Sequence, residues 1–489
     1  MDDIDLKQFP QFEGFDAHVA RVMADWHVNG SAIAVVKGGE VIFSKGYGWR
    51  DAERRLPVDQ HSLFAIGSAS KAFTSTGLGI LVDRGLLGWD QPVHELLPGF
   101  ALMDEFASKR ITPRDLLCHR SGLPGHNMMW FGSPADRATL VDRLAYIQPN
   151  RDFRTTFQYQ NMMFVTAGLL IEKLTGQTWE DFTRKEIFEP LGMHSSNFSV
   201  AVSAAGDNAA MPYRLENGSV VRIPFANIDA VGPAGSINSN LVDMVQWVKL
   251  QLEHGEVDGR RVVSSENMAH IHAPTMPIPD DYFGPVGRYP DLCFESYGLG
   301  WFVQHYRGRR LIHHGGHIDG FAALISFMPE IDTGVVFLSN DNRTFYVLPL
   351  PLNVYDLLLG EEMQPWSERV LGALDEGAAL QMQARAQTGA GQVEGAAPTH
   401  PLSAYTGAYR HPGYGDLEVL LQEGGLAVDF NGQVFPLAHF HYDVFSGTYE
   451  EEGVAKWVRI QFQYDLDGRI QAVDVPFEPA VAPVRFRRV

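Results

Sequence analysis

Cysteine is nearly absent. The 489 residues hold two, Cys118 and Cys293. Two thiols can close one disulfide but cannot build a framework, which fits a reducing compartment or indifference to redox. Long apolar runs are also missing: no stretch approaches the roughly 18–20 residues of a membrane-spanning helix. Positive charge is scarce, with 39 Lys and Arg against 59 Asp and Glu, a net charge of −20. That balance disfavours nucleic acid and anionic membranes as partners. Residues 1–7 are acidic and lack the basic-then-apolar order of a signal peptide. The expectation is a cytoplasmic protein with no membrane and no nucleic-acid partner.

What is present suffices for a large core. Hydrophobic residues make up 45% and aromatics 11% of the chain, which excludes global disorder. At roughly 150 residues per domain, the length allows about three domains. Residues 12–26 have helical apolar spacing, and residues 31–44 read as two strands around Gly38-Gly39, whose positive φ suits a tight hairpin. Residues 68–83 read as an apolar helix with Gly85 as its stop, and helix-rich sequence continues to about residue 195. Residues 322–327 and 334–338 read as a second strand pair with a turn between them. The order of strands, helices, then strands predicts an antiparallel sheet whose early and late strands pair. Past residue 376 a helix gives way to a Gly/Ala/Pro-rich linker, and residues 402–489 read as short strands with turns at Gly424-Gly425, Asn431-Gly432 and Asp467-Gly468, a small barrel or sandwich.

Three local features can carry chemistry. Ser68 and Lys71 lie three residues apart at the start of a helix, so they share nearly one face. A serine hydroxyl is a poor nucleophile until a partner takes its proton, and a desolvated lysine can take part in that transfer. Alone, the pair equally fits a helix N-cap serine beside a solvated lysine. Tyr159-Gln160-Asn161 precedes an apolar helical run. A tyrosine beside an ammonium is stabilised as phenolate and can act as a base, and an asparagine amide can bind a carbonyl; a core aromatic is the alternative. His313-His314-Gly315-Gly316-His317 precedes a strand. Its glycines admit close backbone approach, and the N–H just after them can serve an oxyanion. Metal binding is not expected, because His313 and His314 point to opposite strand faces with no Cys/Asp/Glu cluster beside them.

Taken in order, Ser68-x-x-Lys71, Tyr159-x-Asn161 and His314-x-Gly316 resemble the serine β-lactamase and penicillin-binding-protein superfamily. The resemblance is to its class C-like branch, with the related esterases and D-amino-acid peptidases. Gly46-Tyr47-Gly48, the segment 111–124, Pro233-Ala234-Gly235-Ser236 and Tyr297-Gly298-Leu299-Gly300-Trp301 also resemble family segments, so the likeness runs from about residue 15 to 345. It implies an α/β sandwich with an antiparallel sheet plus an all-helical lobe, in a catalytic domain spanning 1–375 with the lobe inserted at roughly 85–225. A helix and linker follow at 376–400. The final segment, 401–489, resembles an accessory lipocalin-like barrel.

By position, the resemblance makes Ser68 the acylated nucleophile, Lys71 its proton partner, and Tyr159 the base for Ser68 and later for water. It makes Asn161 the residue that positions the acyl amide, and pairs the backbone N–H groups of Ser68 and His317 as an oxyanion hole beside Gly316. His314 stands where many relatives have lysine and, as a cation or donor, would hold a substrate carboxylate. Histidine is largely neutral at pH 7, which weakens carboxylate recognition and favours esters, amides or N-terminally recognised peptides. The expected function is a serine hydrolase acting through an acyl-enzyme on a small-molecule or short-peptide substrate, as a peptidase or esterase. The alternatives are a class C-type β-lactamase and a catalytically idle penicillin-binding or sensor protein. No cofactor or metal is required, and a homo-oligomer is left open. The stretch 276–295, rich in Pro and Tyr, reads as a loop; like 125–132, it either overhangs the site or packs as a surface loop.

Overall fold

The computed structural model describes residues 10–287, 289, 291–388, 391–422, 424–451 and 454–489. The acidic opening, residues 1–7, and Gly389-Ala390 of the linker lie outside them. By packing, the chain forms two compact units: Met1–Gln91, Thr112–His119 and Met163–Ala378 in the first, and Pro92–Ile111, Arg120–Met162 and Ala379–Val489 in the second.

The first unit is built on a nine-stranded sheet in which every paired strand is antiparallel. The strand Gly30–Lys37 lies between Glu40–Asp51 and Thr333–Ser339, in register from Ser31↔Ser339 to Lys37↔Thr333. Early and late strands therefore pair, as their order predicts. Gly38 and Gly39 close the hairpin at φ +59 and +76. Helices cover both faces of the central strands, so these read as unbroken apolar runs: seven of the eight residues of Gly30–Lys37 are buried. Side chains alternate between the faces. Ile33, Val35, Leu324, Val335 and Phe337 join a cluster with the helices Phe15–Asp25 and Pro349–Leu359 and with Trp366. The helix Leu241–Leu252 packs on the same strands. It approaches so closely that a Cβ on Gly334 would stand 2.2 Å from the Val248 side chain. The Trp247 ring then stacks on Phe73 of the helix Lys71–Asp83 at 3.7 Å, which seats that helix.

The stretch 276–295, expected as a loop, is irregular over its middle, with one 3₁₀ turn at Gly284–Gly287, and is strand only at its two ends. Met276–Pro277 and Leu292–Tyr297 are strands that extend the sheet edge next to Phe302–Tyr306. A register shift between Cys293 and Ser296 breaks the alternation that would reveal a strand. Cys118, buried, and Cys293, partly exposed, are not joined in a disulfide. Among the described residues, no helix is long and apolar enough to cross a membrane.

In the second unit, eight strands from Gly407–His411 to Val484–Arg488 close into a barrel. Eight strands leave an interior just wide enough for side chains. Here it holds rings: Phe430 stacks on Phe477 at 4.7 Å, and Phe445 meets Phe462 edge-on at 5.7 Å. The segment 125–132 is fastened to this barrel. The Asn431 amide donates to the carbonyls of Met128 and Phe131, both at 3.0 Å, and His126 Nδ1 bonds the Tyr414 hydroxyl at 2.6 Å.

Glu295, on the added edge strand, yields a pH test. Burial, with Asp280 nearby, pushes its carboxyl up to about 7 from an ordinary 4.5. Folding then takes up a proton between those values, so this contribution is full below about pH 4.5 and is lost as pH rises through about 7. Glu295→Gln should match the wild type at pH 5 and exceed it by about 1 kcal/mol at pH 8, allowing for solvent screening. Urea denaturation at both pH values reads the difference; an equal offset at both would contradict the assignment.

Candidate active site

Ser68 lies in a single 3₁₀ turn, Gly67–Ser70, and Lys71 opens the α-helix that follows. In a 3₁₀ turn, residues three apart nearly eclipse. Lys71 is wholly buried, and its Nζ donates to Ser68 Oγ at 2.8 Å and to the carbonyl of Ala234 at 2.8 Å. The segment carrying Ala234 is bound to the serine turn by three more bonds. Thr74 donates to the Pro233 carbonyl, the Ile237 N–H to Ser70 Oγ, and the Ile66 N–H to the Ile237 carbonyl. The Phe164 ring lies 5.5 Å below the ammonium, a contact that favours a cation there.

The strand Arg309–Ile318 runs against the same turn. A Cβ on Gly316 would stand 1.7 Å from the Ile66 carbonyl oxygen, and a Cβ on Gly67 would stand 2.6 Å from the backbone nitrogen of His317. Only glycine at both positions allows the two backbones to approach this closely. The His317 ring is tied away, with Nε2 donating to the Asn342 carbonyl at 2.7 Å. What His317 offers beside the serine turn is therefore its main chain.

His314 is buried, and its ring is fixed at both ends. Its Nδ1 lies 2.5 Å from the Gly315 carbonyl, which can only accept, so Nδ1 carries the proton; Nε2, 2.7 Å from the Tyr297 hydroxyl, accepts from it. Burial, reinforced by the Lys71 charge, holds its pKa well below 6.5. Both ring nitrogens of His314 are thus engaged within the protein, and the lowered pKa favours the neutral form over the cation. His119 is buried beside it, its ring 4.7 Å from Tyr297 and 5.1 Å from Phe164, and burial with Lys71 lowers its pKa as well. It sits in the left-handed region at φ +59, an uncommon cost for a non-glycine residue and one that clusters at functional sites.

Ser68, Lys71, His314, Gly316 and His317 thus share the first unit. Tyr159 and Asn161 fall in the second, Asn161 as the first residue of the helix Asn161–Thr175. Both are partly exposed, and the intervening Gln160 is buried, its amide donating to the carbonyls of Pro124 and Gly125. Sequence reasoning gave no role to Ala234, Tyr297, His119 or Phe164. All but Phe164 stood within segments singled out for resemblance. Among the described residues, no group of His, Cys, Asp and Glu could hold a metal ion.

Residues 15–355 match the family described as Beta-lactamase, and residues 392–488 match a domain of unknown function, DUF3471. The unguisins hydrolase ungD' of Aspergillus campestris (strain IBT 28561) is 32% identical over 442 residues, covering 85% of this chain and 78% of that protein. The octameric penicillin-binding protein homologue from Pyrococcus abyssi shares the fold with a TM-score of 0.62, at 23% identity, over 96% of this chain and 98% of that one. A D-amino acid amidase from Ochrobactrum anthropi SV3 shares it with a TM-score of 0.56, at 22% identity, over 71% of this chain and 95% of that one.

Two measurements check this geometry. Gly316→Ala should force the strand off the serine turn, costing about 2–3 kcal/mol and removing any reaction at Ser68; a variant with wild-type stability would show that the approach is looser. The ring ¹⁵N shifts of His314 should stay those of a neutral Nδ1–H tautomer from pH 8 down to pH 5. Titration near 6.5 would contradict the burial argument.

Proposed function

The chain belongs to the β-lactamase family, and from that premise we propose that it is a serine hydrolase working through an acyl-enzyme at Ser68. The observation that carries the reading is the 2.8 Å bond from the buried Lys71 ammonium to Ser68 Oγ. A hydroxyl held there is oriented, and its developing negative charge is met by a cation in a dry setting. In this reading Ser68 Oγ attacks a substrate carbonyl. Lys71 and Tyr159 shuttle the proton to the leaving group, Tyr159 then activates the deacylating water, and Asn161 positions the acyl amide. The main-chain N–H groups of Ser68 and His317 receive the oxyanion, each worth about 10²–10³ in rate. No cofactor takes part.

The substrate class follows from His314. A neutral ring already bonded to Tyr297 and Gly315 brings no charge to a carboxylate. That supports small amides, esters and short peptides over β-lactams, whose ring carries a carboxylate. The names of two similar proteins, a hydrolase of unguisins and a D-amino acid amidase, agree with hydrolysis, and the second with hydrolysis of an amide. The octameric state named for the Pyrococcus abyssi structure makes self-assembly part of the same proposal.

The test is covalent. A fluorophosphonate should add one adduct at Ser68, and Ser68→Ala should abolish both labelling and p-nitrophenyl ester turnover, by at least about 10³-fold, with an unchanged melting temperature. A panel of D- and L-aminoacyl amides, short peptides, esters and nitrocefin then ranks the substrates. Nitrocefin turnover matching the ester would restore the β-lactamase reading, and adduct without turnover would mark an idle binder. A folded chain with neither would sink the proposal.

A further inference from the structure

Within the second unit, the barrel together with residues 132–134 and Arg143 lines an open cleft of about 590 Å³, a volume suited to a small molecule. The turn 411–415 forms one wall and Asn431-Gly432 another. Pro134, Pro412 and the Tyr414 ring supply apolar surface, while Arg143, Arg410 and His411 supply donors.

The two arginines differ in how they are engaged. Arg410 is committed to Asp416, with Nε at 2.5 Å and Nη2 at 3.0 Å on its two carboxylate oxygens. Arg143 makes a single long bond, Nη1 to Ser133 Oγ at 3.4 Å, and among the described residues no carboxylate lies within ion-pair distance of it. Burial pulls its pKa down, and the charge of Asp416, acting from farther off, offsets this only in part. Its guanidinium is seated over Gly415, where a Cβ would stand 3.2 Å from Nη2; with φ +88 at that residue, both the turn and the room need glycine. A guanidinium carries five donors in a rigid fork that matches a carboxylate, and most of them here have no acceptor among the described residues. His411 adds one more. Its Nδ1 accepts from the N–H groups of Gly413 and Tyr414 at 3.0 and 3.2 Å, so the proton sits on Nε2, and burial beside His126 keeps the ring neutral with a pKa of about 4.

We propose that this cavity is a binding site for a small carboxylate, held by the fork of Arg143 and packed against Pro134, Pro412 and the Tyr414 ring. The site lies outside the serine chemistry and does not depend on it. The carboxylate can come from a free small acid or from the C-terminus of a short peptide, and the probes separate the two.

Calorimetric titration of the full chain carrying Ser68→Ala, which prevents consumption of the probes, uses benzoate, N-acetyl-Ala-Phe and the C-terminal amide of that dipeptide. The peptide acid should bind about tenfold tighter than its amide. Benzoate binding as well as the peptide acid points to a free acid, and binding of the peptide acid alone points to a peptide C-terminus. Arg143→Gln should weaken the acids about tenfold and leave ester turnover of the Ser68 chain unchanged. Asp416→Asn, which removes the competing negative charge, should tighten them about threefold, a gain that misfolding cannot produce. Equal affinity for acid and amide, affinities unmoved by both substitutions, or no binding of any probe at millimolar concentration would each overturn the site.

Discussion

The carbonyl oxygen of Ile66 occupies the space that a side chain at residue 316 would need. Two backbones meet there without intervening atoms, one leading into the serine turn and the other running along the strand Arg309–Ile318. Because Gly67 lies equally close to the main chain of His317, the contact is doubled and leaves the turn little freedom to rotate. The position of Ser68 is thereby referred to the sheet as well as to its own helix. A further glycine, Gly300 at φ +81, makes the same kind of approach on the far side, where a Cβ would stand 2.6 Å from Ser75 Oγ and 3.2 Å from the Lys71 carbonyl. The helix Lys71–Asp83 is thus gripped at its first turn from two directions.

Rigidity matters because the charge distribution around Ser68 is lopsided. Lys71 is wholly buried, and the nearby titratable rings, His119 and His314, are both driven towards the neutral form by burial and by the ammonium itself. A buried ammonium is costly unless it is paired and hydrogen-bonded. Here the carbonyl of Ala234, the oxygen of Ser68 and the face of Phe164 all offer it negative potential. A lysine at 314 would bring a second cation into the same environment. Histidine instead gives a ring that donates to Gly315 and accepts from Tyr297 at no net charge.

Much of this was legible in the sequence where a local rule applied. The β-branched runs and the Gly38-Gly39 pair mark the central hairpin, and the three-residue spacing of Ser68 and Lys71 survives as a direct bond because a 3₁₀ turn nearly eclipses such residues. Legibility ended where the determining contact is distant in sequence. Nothing near Tyr297 says that its hydroxyl will meet His314, and nothing near Ala234 says that its carbonyl will receive Lys71, because folding alone brings those segments together. The left-handed backbone of His119 is hidden for the same reason: propensity argues against it, and tertiary packing overrides it. In the barrel, the strand Gln433–His441 carries Pro436, a residue that ordinarily demotes a strand, and the register shift between His439 and His441 interrupts its alternation.

The barrel poses the opposite problem to the serine turn. A closed sheet has no free edge with which to recruit another chain, and rings such as Phe430 on Phe477 and Phe445 on Phe462 pack against one another within the barrel unit. Its turns and outer wall are the surfaces it offers to its surroundings. Those are the parts that engage residues 125–146 of the same unit: Asn431 on two carbonyls, Tyr414 on His126, and Gly415 beneath the guanidinium of Arg143. Asn431, at φ +53, turns the chain and spends its side chain on Met128 and Phe131. The hairpin geometry that closes the barrel thus also builds the wall of the cavity beside it, so the residues a sequence reader takes for generic turn formers become the ones that shape a recognition surface.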